Sequence, residues 1–260
     1  MGLSAVAAAG AFALIASAPS AAPEPIDVGT AAVALGDDTA RSVERVAYRQ
    51  DVERVGDVVV VDGTPRPTAG ADVLAASPEV APLWSLVEQV WPAWLDDELH
   101  QFSVVEEAPR GLVGVVHPTS GGGWVLSLDL ADLDDRHLVR ETIVHELSHV
   151  ITLDDDVFTF GHDTDCEGVE IELGCAAAGS VLAEYAQTFW PDDLPSSDPH
   201  DHVNEYATTG VHEDLAETFT AWALDWPIGS PTVQAKIDLL ATDPDLARLA
   251  SDLRARLASS

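Results

Sequence analysis

The pattern of apolar and polar residues predicts strands in the first half of the chain. Residues 58–61 form an apolar run between glycines, which is typical of a strand. Residues 111–117 and 124–130 predict two more strands around a glycine-rich turn. Within 124–130 the apolar residues alternate, so we expect one face of this strand to be buried: Trp124, Leu126, Leu128 and Leu130.

Apolar spacings of three and four residues predict helices in the rest of the chain. The predicted helices cover residues 71–100 with a break at Pro92, a segment from an N-cap at Asp132 or Asp134 to Leu153, then 172–189, 211–226, 231–241 and 244–257. Loops are predicted over 154–168 and 192–201. A small mixed sheet followed by a mainly helical half predicts an α+β fold.

The N-terminal residues predict export. Residues 3–18 form an Ala-rich apolar run that is short for a membrane span, although no Lys or Arg precedes Arg41. We expect a signal peptide over residues 1–22, with a membrane anchor or a buried helix as the alternatives. Residues 23–70 would form an extension or propeptide, and residues 71–260 the main domain. The expected location is therefore secreted or extracellular.

The two cysteines agree with export. Cys166 and Cys175 lie nine residues apart, and an even number of cysteines in an exported protein favours a disulfide. A pair of reduced, buried thiols is the alternative.

The charge of the chain is strongly negative and unevenly distributed. The 260 residues include 45 Asp and Glu against 12 Lys and Arg, which gives a formal charge of -33. Residues 141–235 contain 20 acidic residues and no Lys or Arg. Such a surface repels nucleic acids and anionic membranes, so neither is expected as a partner, and any peptide or protein that binds it should be neutral or basic rather than acidic. Disorder is excluded, because 47% of the residues are hydrophobic.

The segment His145-Glu146-Leu147-Ser148-His149 carries the most informative motif, an HExxH on a predicted helix. Side chains four residues apart share a helix face, so both imidazoles can bind one tetrahedral Zn²⁺. Glu146 would act as general base on a zinc-activated water. Chance would produce this motif only about 0.02 times in such a chain. We therefore predict one zinc ion per chain.

A zinc site of this type needs a third protein ligand, and the sequence offers three candidates. Asp155 stands at the ligand position of an HExxHxxGxxH motif, but Thr152 replaces the glycine of its turn. On a later predicted helix, Glu213 can bind the metal while Glu217 orients a ligand histidine. His212 is the third candidate. It lies about 100° around the helix from Glu213, so only one of the two is expected to face the metal.

The HELSH segment at 145–149 and the HEDLAETF segment at 212–219 together resemble the gluzincin zinc metallopeptidases. The likeness is to their lethal-factor-like branch and to secreted zinc-binding metallopeptidases, and it covers roughly residues 80–225. It implies a zincin-like fold, secreted peptidase activity, Glu213 as ligand and Glu217 as its support. It also implies that Tyr206, seven residues before Glu213, stabilises the transition state. In such folds, strand 124–130 would present the edge that pairs with an extended peptide.

Other acidic segments suggest weaker alternatives. Asp163 begins a stretch like a calcium loop, but its twelfth position is Gly174, which excludes an EF-hand. A looser Ca²⁺ site within 154–165 stays open, and a second metal at His200 and His202 is less favoured than a surface loop. The rival function is a non-catalytic secreted metal-binding protein.

Overall fold

The computed structural model describes residues 53–61, 64–67, 80–106, 113–119, 123–129, 134–161, 165–191 and 194–258. Its strands are β1 (Glu53–Val61), β2 (Thr64–Pro67), β3 (Leu99–Glu106), β4 (Gly114–Pro118), β5 (Trp124–Asp129), β6 (Phe158–Phe160), β7 (Val169–Ile171) and β8 (Gly174–Ala176). Its α-helices are α1 (Val80–Val90), α2 (Arg136–Thr152), α3 (Val181–Phe189), α4 (Val211–Ala223), α5 (Pro231–Leu240) and α6 (Pro244–Leu257). Short 3₁₀ helices cover Ala93–Glu98, Pro199–Asp201 and Tyr206–Thr208.

Five strands form a mixed sheet in the order β2-β1-β3-β5-β4. Strands β3 and β5 are parallel, and the other neighbours are antiparallel. The predicted α+β class is confirmed. Strand β5 lies inside the sheet and all its residues are buried, so the expected alternation is not observed. The prediction that 124–130 presents a free edge is wrong. Strand β5 pairs with β3 on one side and with β4 on the other, so β4 is the edge strand on this side.

Helix α2 is the central helix of the domain. Thirteen of its 17 residues are buried, so polar positions such as His145 are enclosed by the fold. The side chain of Asp135 caps its N-terminus by accepting a hydrogen bond from the Leu138 N–H. The predicted caps, Asp132 and Asp134, were therefore wrong by a few residues.

A second, three-stranded sheet interrupts the helical half, in the order β6-β8-β7. Its presence contradicts the predicted loop over 154–168 and the predicted helix start at residue 172. Three-residue strands are too short to leave a periodic pattern. Helix α3 begins only at Val181, where the Ser180 side chain accepts from the Ala183 N–H. The predicted disulfide is confirmed, since Cys166 and Cys175 are bonded and tie the segment before β7 to β8.

The remaining helical predictions agree with the fold to within a few residues. Helices α4, α5 and α6 occupy the predicted segments, although α4 ends at Ala223 rather than at Trp226. Strands β1 and β2 come from the segment 23–70 and join the large sheet through β3. The predicted signal peptide, most of the predicted extension and residues 71–79 lie outside the described residues. Among the described helices, none is both long enough and apolar enough to cross a membrane.

Candidate metal centre

Helices α2 and α4 bring together two histidines, His145 and His149, and a glutamate, Glu213, that follows the second histidine by 64 residues. His145 and His149 are one helical turn apart on α2, and their Nε2 atoms are 3.1 Å apart. Glu213 stands in the first turn of α4. Its Oε2 lies 2.9 Å from His145 Nε2 and 3.4 Å from His149 Nε2. These three side chains form a candidate metal-binding triad.

The geometry of the triad fits a tetrahedral ion. Ligand atoms bound at 2.0–2.1 Å around zinc lie roughly 3.3 Å from one another. The three observed separations, between 2.9 and 3.4 Å, are close to that value. Two imidazoles and a carboxylate also leave one coordination position for water or substrate, which is the donor set of catalytic zinc sites. The residues present therefore fit a zinc ion.

Glu217 lies on the side of the His145 ring that is opposite the triad. Its Oε1 lies 2.8 Å from Nδ1 of His145, the ring nitrogen that faces away from the triad. Its Oε2 accepts a 2.6 Å hydrogen bond from the Asn204 side-chain amide. Asn204 is anchored in turn, because its Oδ1 accepts from the Ala207 N–H. The sequence reasoning missed Asn204, since an Asn in a loop carries no distinctive pattern.

Tyr206 reaches the triad from the 3₁₀ helix that precedes α4. Its hydroxyl donates a 3.0 Å hydrogen bond to Oε1 of Glu213, whereas the two triad histidines lie near Oε2. Its ring lies 5.8 Å from the ring of His145. The seven-residue spacing noted in the sequence thus brings Tyr206 and Glu213 together through the turn at residues 209 and 210.

Glu146 lies on the neighbouring face of α2 and contacts the edge strand. Its Oε2 accepts a 2.8 Å hydrogen bond from the Val116 N–H of β4. Only 6% of Glu146 is exposed, so this bond offsets part of the cost of burying the carboxylate. The general-base candidate is therefore oriented by the strand that forms the sheet edge.

The two histidines respond in opposite ways to burial and charge. Burial alone would lower the pKa of His145, but contacts with Glu213 and Glu217 outweigh it and hold this pKa well above its ordinary value. Burial lowers the pKa of His149 to about 4, despite its contact with Glu213. Without a metal, His145 is therefore the triad histidine that carries an extra proton at neutral pH, and His149 is neutral.

The two oxygen groups are also perturbed. Burial alone would raise the pKa of Glu213, but the nearby imidazoles of His212, His145 and His149 hold it well below its ordinary value. Burial raises the pKa of Tyr206 well above its ordinary range, and the carboxylates of Glu213 and Glu146 raise it further. Glu213 is therefore ionised at neutral pH, and the Tyr206 hydroxyl keeps its proton and can donate.

A second polar cluster anchors the start of α4. Asp214 is completely buried, and its carboxylate accepts from Lys236 Nζ at 2.6 Å and from Trp190 Nε1 at 2.8 Å. His202 Nδ1 lies 3.2 Å from the other oxygen. Lys236 is the only lysine of the chain and also donates to the Asp201 carbonyl. This network joins α3, α5 and the loop before Tyr206 to α4, beside Glu213. The sequence reasoning did not identify it.

The alternative metal sites gain no support from the described residues. Asp155 is exposed in the turn after α2 and is not part of the triad. His212 lies near the triad, because its Nε2 is 3.4 Å from Oε1 of Glu213, but His212 is not one of the three grouped ligand residues. In the parts of the chain that the structure describes, no other group of three ligating side chains forms around 154–165 or around His200 and His202. Asp163 lies outside them.

Comparison with known proteins adds no relative: no family model, no curated protein and no solved structure matches the chain. The gluzincin resemblance therefore stays a prediction based on the two motifs and their spacing.

Proposed function

We propose that this protein is a zinc-dependent metallopeptidase of the gluzincin type. The observation that carries the proposal is the buried triad of His145, His149 and Glu213, with its ligand atoms at the spacing of a tetrahedral ion. The α+β fold, with the triad divided between two packed helices, supports a zincin-like architecture. The Cys166–Cys175 disulfide supports an exported protein.

His145, His149 and Glu213 would hold the zinc. A zinc ion supplies a Lewis acid that polarises the substrate carbonyl and makes water a better nucleophile at neutral pH. Glu146, oriented by the Val116 N–H, would accept a proton from the attacking water and pass it to the leaving amine.

Tyr206 would stabilise the negative charge that develops on the substrate carbonyl oxygen. Its raised pKa keeps the hydroxyl a donor through the reaction. The same hydroxyl donates to Glu213 Oε1 in this structure, so it must turn from that oxygen to the substrate. The variant Tyr206→Phe would remove the hydrogen bond to Glu213 and keep the aromatic ring next to His145.

Zinc stoichiometry tests the metal assignment. We expect the purified protein, dialysed against a weak chelator, to retain about one zinc per chain and Glu213→Ala to lose it. Asp155→Asn is the matched control, because it removes a carboxylate outside the triad, and it should keep the metal. Full zinc retention in Glu213→Ala would exclude the proposed ligand set.

A non-catalytic metal-binding protein is the second candidate. It is favoured by one observation, the hydrogen bond that engages Glu146 with the backbone of β4, because a purely structural glutamate would make the same contact. Such a protein would bind zinc equally well and would hydrolyse no peptide. Substitution of Glu146 separates the two functions.

A further inference from the structure

The turn between β7 and β8 extends a carboxylate towards the metal centre. Glu172 stands at this turn, and its Oε1 lies 3.7 Å from Nδ1 of His212. The other ring nitrogen, Nε2, lies 3.4 Å from Oε1 of the triad residue Glu213. The Glu172 carboxylate therefore lies one imidazole ring away from the triad.

Gly210 leaves the space that this approach requires. Its φ of -171° is ordinary extended backbone, so backbone conformation does not explain the glycine. A Cβ at this position would lie 2.9 Å from Glu172 Oε1 and 2.8 Å from His212 Cε1. Any larger residue would therefore require the Glu172 carboxylate or the His212 ring to shift. The missing side chain thus permits the contact between the turn and the start of α4.

The turn rests on a constrained support. Strands β7 and β8 pair in antiparallel register, with Ile171 opposite Gly174, and the Cys166–Cys175 disulfide fixes β8 to the segment before β7. Such a support constrains the backbone from which the Glu172 side chain extends, so less free energy is spent on ordering the turn when a ligand binds.

The charge of Glu172 remains accessible to a ligand. Its side chain is 49% exposed, so part of the carboxylate faces solvent. Resting on the peptidase function proposed above, we propose that Glu172 is a specificity-determining residue, which selects a peptide with an arginine or lysine side chain next to the bond held at the metal centre. The negative charge of the whole chain would favour basic peptides whatever the position of their Arg or Lys. Glu172 alone would instead select Arg or Lys at one substrate position, next to the bond held at the metal centre.

Two peptide hydroxamates test the assignment without depending on turnover. Both carry a zinc-binding hydroxamate, and the residue beside it is Arg in one and Glu in the other. We expect the zinc-loaded protein to bind the Arg compound about 3- to 10-fold more tightly, as for a partly exposed ion pair, and the preference to shrink at high salt. Calorimetric titration gives both dissociation constants.

The variants assign the preference to one side chain. Glu172→Gln should abolish it with unchanged zinc content, and Glu172→Arg should reverse it. Glu170→Gln removes the same charge from an exposed position of β7 and should leave the preference intact. An unchanged preference in Glu172→Gln, or equal binding of both compounds by the wild type, would overturn the assignment. Peptide cleavage by the wild type is scored separately, so a failure of the peptidase function is recognised independently of this result.

Discussion

The Nδ1 atom of His145 lies 2.8 Å from Oε1 of Glu217, at the opposite side of the imidazole from the triad. A carboxylate at this nitrogen favours the tautomer that carries hydrogen on Nδ1, which leaves the Nε2 lone pair for a metal. We therefore expect the orientation of His145 to depend on Glu217, which does not belong to the triad.

We predict that Glu217→Gln weakens zinc binding about 10- to 100-fold, the usual cost of losing such a support. Competition with a chromophoric chelator measures the affinity. Glu205→Gln, which changes an exposed glutamate of the neighbouring loop, serves as control and should bind zinc normally. Equal affinities in the two variants would show that Glu217 does not support the metal site.

The buried pair of Lys236 and Asp214 should be essential for stability. Lys236→Met leaves the Asp214 carboxylate buried without its cation, and we expect a loss of about 3–5 kcal/mol in the free energy of unfolding. Chemical denaturation of the metal-free protein measures it. Arg248→Met, which removes an exposed cation above the ring of Trp94, should cost about 1 kcal/mol or less. A comparable loss in both variants would contradict the role given to the buried pair.

The disulfide should contribute stability without contributing to the metal site. Replacing Cys166 and Cys175 together by Ser should lower the free energy of unfolding by about 2.5–3 kcal/mol, on the chain-entropy model for a loop of about ten residues. Zinc content should persist, because the triad lies on α2 and α4. With excess reductant the two proteins should become equally stable. A stability difference that survives reduction would indicate that the serines disturb the fold in some other way.

Zinc binding should release a proton from His145. Its pKa is held well above the ordinary value, so the metal-free protein carries this proton at pH 7, whereas His149, with a pKa of about 4, is already neutral. Below the pKa of His145, zinc affinity should therefore rise about tenfold per pH unit. Calorimetry in buffers of different ionisation enthalpy should detect about one proton released per zinc at pH 7. Release of none would contradict the protonation state assigned to His145.

The sequence was sufficient for the parts of the site that lie on periodic helices. Glu213 was one of three candidates for the third ligand and was preferred through the gluzincin resemblance. His145 and His149 were predicted because helical spacing fixes which side chains share a face and because histidines at that spacing are rare by chance. These are local properties, and neighbouring residues determine them.

The sequence was insufficient where contacts between distant segments decide the structure. The position of β5 inside the sheet depends on parallel pairing with β3, which no local pattern reveals. The three-stranded sheet consists of strands too short to show alternation. Asn204 donates to Glu217 and Lys236 donates to Asp214 only in the folded chain. The identity of these two residues in the sequence therefore did not indicate their roles.

Peptide hydrolysis by the zinc-loaded protein, compared with its Glu146→Gln variant, tests the central claim most directly. The variant keeps the size of the side chain and removes the base, so it should bind zinc as the wild type does. We predict that the wild type cleaves members of a mixed peptide library and that the variant, at equal zinc content, loses activity by at least about 100-fold. Equal cleavage by both proteins, or cleavage by neither, would contradict the proposed function.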